Sequence, residues 1–329
     1  MSPKQDEHGT SPEVPAIETE KLCKTYNGDI RAVESLDLRV PRGITYALLG
    51  PNGAGKTTTI GVLTTLVEPT SGAARINGHD VVARAADVRR DIGVTFQEMV
   101  LDDALTGRQV LDYHGRLYGL SASERHERAH ELLALTELAD AADRKCKGYS
   151  GGMKRRLELA RALMTLPRIL FLDEPTLGLD PQGRARIWDY VRDLKRRTDL
   201  TVLLTTHYLD EAQELADRVG IMDHGHLVAE GSPSELIEEL GADTIRVLGR
   251  GDGDDVETRL AGEPFVQSFS RVEGGFLLGV ESSSRHLAEV VSTTTQAGFV
   301  IEDVSVAKPD LGAVFFKYTG RQLRDGVDS

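Results

Sequence analysis

Residues 50–58, Gly-Pro-Asn-Gly-Ala-Gly-Lys-Thr-Thr, constrain the fold more than any other stretch of this 329-residue chain. Gly50, Gly55, Lys56 and Thr57 fit the phosphate-loop pattern of a glycine, four free positions and Gly-Lys-Ser/Thr. Pro51, Asn52, Gly53 and Ala54 fill the free positions, and Thr58 follows. A triphosphate needs many donors at close range. Glycines let backbone N–H groups curl around it, and a following helix adds its unpaired N–H groups and the positive end of its dipole. Lys56 is placed to reach the β- and γ-phosphates and the Thr57 hydroxyl to bind Mg²⁺. Residues 44–49 read as a buried strand and 58–66 as a helix, the context that this pattern requires.

A strand–loop–helix of this kind belongs in an α/β parallel sheet, and the rest of the chain supplies one. Apolar runs at 169–172 and 202–205 read as buried strands, with a helix over 184–197 between them. Residues 16–24, 33–40 and 74–76 read as strands joined by turn signals, which predicts an antiparallel sheet beside the loop. Leucines and valines at helical spacing over 107–140, with a further helix over 153–164, predict a helical lobe at about 98–165. From about residue 243 the texture changes. Strands at 245–248, 276–280 and 300–306, a glycine-rich linker at 249–253, an amphipathic helix over 285–297 and a closing helix over 311–319 predict a small C-terminal α+β domain at 243–320. The ferredoxin-like arrangement is the candidate for it. The first domain is expected over 16–240, between a disordered tail at 1–15 and a frayed end at 321–329.

The net charge of −13 argues against a nucleic-acid partner, because phosphate backbones call for a basic face. The two cysteines, Cys23 and Cys146, form no Cys-x-x-Cys pair and read as structural thiols of a reducing compartment. No apolar run approaches eighteen residues, so any membrane role is expected to come through a partner.

The chemistry gathers at predicted strand ends, where open α/β sheets bind ligands. Asp173 follows its apolar strand as a metal-positioning acid must, and Glu174, one residue on, can polarise the water that attacks the γ-phosphate. Gln97 ends another strand and can ligate Mg²⁺ through its amide oxygen. His207 ends a third and can orient Glu174. Ser150, Gly151 and Gly152 precede a helix, a second anion site in a chain with one phosphate loop. The economical reading is that it serves the nucleotide of another subunit, in a head-to-tail dimer with ATP between the copies.

The order phosphate loop, Gln97, Tyr-Ser-Gly-Gly-Met at 149–153, Ile-Leu-Phe-Leu-Asp-Glu-Pro at 169–175, Gly-Leu-Asp at 178–180 and His207 resembles the ATP-binding cassette ATPases over residues 16–240. By that resemblance Tyr26, otherwise a packed turn aromatic, would stack on adenine. Ser150, Gly151 and Gly152 would act in trans, and Asp180 would belong to the dimer-contacting loop. Tyr149 and Met153 stand where leucine and glutamine are usual, and both leave Ser-Gly-Gly intact. Residues 101–107 and Lys154-Arg155-Arg156 are similar to the daunorubicin-resistance exporter ATPases, as is the ending from Leu311, although an acidic residue is commoner there than Gly312 or Ala313. The resemblance implies a homodimer that binds ATP and Mg²⁺, sits on the inner face of the cell membrane and drives a permease on a separate chain. The alternative is a soluble cassette ATPase of DNA repair or the ribosome, which usually carries a long coiled-coil insertion or a second cassette. His126 and His130 match a zinc-protease spacing, but Arg125 and Arg128 beside them favour a solvated helix face.

Overall fold

The computed structural model describes residues 14–320 apart from Met99, Ala242 and Asp252. Save for Val14 and Pro15, the expected N-terminal tail lies outside the described residues, as does the expected end at 321–329. The chain divides into two compact units, one running to Glu230 and one starting at Gly231.

In the first unit β1 (Ile17–Tyr26) and β2 (Ile30–Val40) form a hairpin whose turn residues Asn27 and Gly28 both take the left-handed conformation. Then come β3 (Thr45–Leu49), α1 (Lys56–Leu63), β4 (Ser71–Ile76), β5 (His79–Asp80), α2 (Ala85–Asp91) and β6 (Ile92–Thr95). The lobe follows as α3 (Gly107–Leu117), α4 (Ala122–Leu135) and α5 (Gly151–Ala162). Capping boxes at Thr106 with Gln109 and at Ser121 with Glu124 fix where α3 and α4 begin. The chain returns through β7 (Ile169–Asp173), α6 (Pro181–Arg197), β8 (Thr201–Thr206), α7 (Leu209–Leu215), β9 (Arg218–Asp223) and β10 (His226–Gly231).

Two sheets result. One has the order β2-β1-β4-β5 and is antiparallel; the other has the order β10-β9-β3-β8-β7-β6, with β9, β3, β8, β7 and β6 parallel. Every residue of β3, β7 and β8 is buried, as expected of parallel strands covered on both faces. One core joins the sheets, with Ile17, Leu22 and Leu36 of the first packed in the same cluster as Leu48, Phe171 and Leu203 of the second and Ile60 of α1. This is the α/β architecture that the phosphate loop predicts.

The second unit runs α8 (Pro233–Glu238), β11 (Asp243–Arg250), α9 (Gly253–Leu260), β12 (Val266–Val272), β13 (Gly275–Val280), α10 (Ser283–Gln296), β14 (Val300–Ala307) and α11 (Leu311–Thr319). From β11 to β14 this is a βαββαβ unit, and its antiparallel sheet has the order β12-β13-β11-β14 of a ferredoxin-like fold. Its core is its own, built on Ile245, Val247, Phe276, Leu278 and Val290. The expected linker at 249–253 is corrected. Gly249 and Arg250 still pair with Ile301 and Val300, and α9 begins at Gly253. Gly249 marks a close approach, since a Cβ there would lie 2.0 Å from the Val300 carbonyl. The sequence reading also missed β12. A register shift between Val266 and Ser268 breaks its alternation, so period two is absent.

Candidate nucleotide-binding site

β3 lies between β8 and β9, and it delivers residues 50–58 to the middle of the parallel sheet. Two of the loop's three glycines are dictated by the backbone of neighbouring strands. A Cβ on Gly50 would lie 2.5 Å from the Met222 carbonyl of β9. Gly55, at φ +106°, would place one 2.3 Å from the Ala32 carbonyl of β2. The Ala54 carbonyl accepts from Gly225 N–H at 3.0 Å, which ties the loop to the β9–β10 turn. Tyr26 ends β1 opposite Ile30, on the hairpin that carries Ala32, so the register brings it to the phosphate-loop end of that sheet. Tyr26 is 37% exposed, with the Lys24 ammonium 5.0 Å from its ring centroid, and it is accessible for stacking.

Lys56 opens α1 and is only 5% exposed; its Nζ donates to the carbonyls of Gly50 at 2.7 Å and Pro51 at 3.1 Å. Burial lowers its pKa, and the nearby Glu174 and Asp173 carboxylates oppose that shift. The ammonium is thus folded across the loop that a phosphate would fill. The Thr57 hydroxyl lies 3.4 Å from Asp173 Oδ1, the same oxygen that accepts from the Thr205 hydroxyl at 2.6 Å. Burial raises the Asp173 pKa, against the hydrogen bonds from Thr205 and Thr57. A hydroxyl and a buried carboxylate converging here are hard oxygen donors, which suits Mg²⁺ completed by water and phosphate oxygens.

Glu174 contacts Thr205, Gln97 and His207. It sits at φ +47°, a left-handed conformation that costs a residue with a Cβ on the order of 1 kcal/mol or more. Its N–H donates to the Thr205 hydroxyl at 3.0 Å. Its Oε2 accepts from Gln97 Nε2 at 3.3 Å and faces His207 Nδ1 at 3.5 Å. The His207 hydrogen bond, foremost, holds the Glu174 pKa below the usual carboxylate value, against burial. The carboxyl is therefore ionised at neutral pH and able to accept a proton. Gln97 spends its amide nitrogen on Glu174 and keeps its amide oxygen for another partner.

The structure thus brings Lys56, Thr57, Gln97, Asp173, Glu174 and His207 together. It places Ser150, Gly151, Gly152 and Asp180 elsewhere. Those four line a cavity of about 400 Å³ with Met153, Arg156, Gly178 and Arg186, and no phosphate-loop residue borders it. Ser150 caps α5 by accepting from Met153 N–H, and Asp180 caps α6 by accepting from Gly183 N–H at 2.7 Å. Tyr149 is buried and donates to the Ala141 carbonyl at 2.8 Å, anchoring the residues just before Ser150. His126 and His130 are exposed on α4, consistent with a solvated face.

Three residues were given no role at the site by the sequence reading, Arg155 standing there only as part of the stretch at 154–156. Thr205 bridges Asp173 and Glu174. Glu211, buried at the start of α7, accepts from the Thr176 and Thr206 hydroxyls. Arg155, 4% exposed on α5, reaches the turn after β7. The signal for Arg155 was its place on a helical stripe with Glu158, Leu159 and Ala162, two charges sharing a face with two apolar residues.

A strand-loop-helix phosphate cradle facing an Asp-Glu pair at the end of a parallel strand defines a phosphate-loop nucleoside triphosphatase. The sequence pattern of the family described as "ABC transporter" matches residues 33–177. The daunorubicin resistance ATP-binding protein DrrA3 of Streptomyces coeruleorubidus is 43% identical over 324 residues, covering 94% of this chain and 97% of that protein. The daunorubicin/doxorubicin resistance ATP-binding protein DrrA of Streptomyces peucetius is 53% identical over 232 residues, 70% of each. Among solved structures, the ATP-binding cassette MJ0796, a dimer bound to ADP and phosphate in a post-hydrolysis state, superposes with a TM-score of 0.61 at 29% identity. It covers 66% of this chain and 98% of that one. The chain belongs to the ABC transporter family, as an ATP-binding subunit that hydrolyses ATP.

Proposed function

We propose that this chain powers an exporter of drug-like or lipid-like compounds, two copies closing head to tail on two MgATP and pulling on a permease made by another chain. The observation that carries the reading is the separated second anion site. Ser150, Gly151 and Gly152 stand at the N-terminus of α5 beside the Gly178–Asp180 turn, away from the loop at 50–58. A phosphate there is one held by a second copy. The resistance-protein names of the relatives support the exporter assignment. No described helix is long and apolar enough to cross a membrane, which leaves the translocation path to a partner. The subunit then works on the inner face of the membrane. A groove lined by Leu66, Phe96, His114 and Tyr118 together with Arg89 and Arg161, next in sequence to Gln97 at Phe96, is the seat this reading gives the permease.

In the closed dimer Tyr26 stacks on adenine and residues 50–58 wrap the phosphates. Thr57, Asp173 and Gln97 would hold Mg²⁺, which would supply charge neutralisation at the phosphates. Glu174 takes a proton from the attacking water as its oxygen bonds to the γ-phosphorus and the bridging oxygen leaves on ADP. His207 keeps Glu174 ionised and aimed.

Glu174→Gln keeps the size and the hydrogen bonds of the site and removes the base. Turnover is expected to fall by about 100-fold or more while MgATP affinity is retained. Size-exclusion chromatography with MgATP should then show a trapped dimer. Hydrolysis within a few fold of the parent protein would remove Glu174 from the role of base.

A further inference from the structure

A buried guanidinium is costly unless its donors are met, and Arg155 meets its own with backbone carbonyls of the catalytic turn. Nε donates to the Pro175 carbonyl at 2.7 Å, and one terminal nitrogen donates to the carbonyls of Asp173 at 3.0 Å and Glu174 at 2.7 Å. The other donates to the Phe96 carbonyl at 2.6 Å and to Glu158 Oε2 at 3.2 Å. Glu158 is fully buried one helical turn on, and its other oxygen accepts from Val100 N–H at 3.0 Å. A single pair on α5 therefore grips the turn that carries Glu174 and, through Phe96 and Val100, both sides of the segment that carries Gln97.

The turn being gripped is strained. Glu174 holds φ +47°, and such a conformation persists only where its surroundings over-determine it. Thr205 secures the N–H side of Glu174, and Arg155 secures the carbonyls of Asp173, Glu174 and Pro175 on the other. Lysine could not reproduce this, because it offers one nitrogen where the guanidinium offers a planar fork.

We propose that Arg155, fixed by Glu158, is a positioning residue for hydrolysis. It locks Glu174 in its left-handed conformation and ties that conformation to the Gln97 segment and to α5. This rests on the reading of Glu174 as the base. Because α5 also presents Ser150 at its N-terminus, arrival of the partner's phosphate bears on the helix that sets Glu174 and Gln97 in its own subunit. The grip touches neither the loop at 50–58 nor Tyr26 and reaches Asp173 and the Gln97 segment through backbone groups, so it acts on turnover more than on nucleotide binding.

The test is Arg155→Lys in the full chain, with kcat and KM for MgATP measured by steady-state hydrolysis, Kd by calorimetry, and folding by circular dichroism and thermal melting. The expected result is a folded protein with kcat lowered by about 30-fold or more and Kd within about threefold of the parent, as loss of geometry without loss of binding requires. A folded variant with kcat within threefold of the parent would overturn the inference. So would a kcat loss matched by an equal loss of ATP affinity, which is the signature of a collapsed site. If Arg155→Lys does not fold, the neutral double variant Arg155→Gln with Glu158→Gln removes both buried charges together and is read by the same criteria. Glu174→Gln, run in parallel, separates the two readings. Unimpaired turnover there strikes at the base, whereas a dead Glu174→Gln beside an active Arg155 variant strikes at the positioning residue alone.

Discussion

His114 shows how much a single titratable group can bear on this fold. It lies near the end of α3, partly buried beside the Tyr118 ring, and burial with the nearby Arg161 charge lowers its pKa to about 4. The folded chain therefore refuses a proton that the unfolded chain accepts at about 6.5. Between these values the unfolded state binds more protons, so stability falls as pH drops from 6.5 towards 4 and is insensitive to this group above neutrality. Replacing His114 by Gln removes that pH dependence. Urea unfolding at pH 7 and pH 4.5 should show the parent losing up to about 2 kcal/mol more than His114→Gln over that interval. Equal losses in the two proteins would contradict the buried, neutral imidazole. At this scale much of the site was legible from sequence. Lys56, Thr57, Asp173 and Glu174 are marked by fixed spacing and by strand ends, which are local properties. Arg155 and Thr205 were not legible, because their role depends on backbone groups that only the tertiary fold brings to them.

Among the elements, α5 carries the most distinct duties. Its N-terminus is capped by Ser150, its first turn pairs Lys154 with Asp103, and its buried stripe holds Arg155 and Glu158. Two stretches that looked alike only as family motifs, 101–107 and 154–156, thus meet in space through that Lys154–Asp103 pair. Ser150→Asp discriminates cap from anion site, since Asp is as good a cap as Ser but repels a phosphate. Melting should change by no more than about 0.5 kcal/mol in stability terms. ATP affinity of the isolated subunit should be unchanged, and hydrolysis should fall by about 100-fold. Retained hydrolysis would show that no phosphate visits α5. The sequence anticipated α5, the buried strands β7 and β8 and the helix α10 because their apolar periods are intact. It failed at β12, where a register shift erases the period, and at Gly249, where a glycine marks two strands pressed together rather than a flexible joint.

For the whole molecule, the division at Glu230 and Gly231 separates every residue assigned to nucleotide chemistry from the ferredoxin-like unit. That unit has its own closed core. Residues 231–320 produced alone should therefore melt in one cooperative transition, and a chain ending at 230 should bind MgATP within about twofold of the full protein, as independent cores require. Loss of ATP binding on truncation would assign the second unit a part in the site. Measuring dimerisation and recruitment to permease-containing membranes separately, with and without residues 231–320, then tests whether the second unit contributes to either. The loop at 50–58, meanwhile, is wedged between the backbones of β9 at Met222 and β2 at Ala32, one strand from each sheet. It is a cast rather than a glove: its shape is set when the two sheets close on one another, before any nucleotide arrives. Gly50 and Gly55 have little freedom left to lose on capture, so affinity here is expected to depend on how tightly the sheets are joined. A change that merely loosens that junction will weaken ATP binding from a distance.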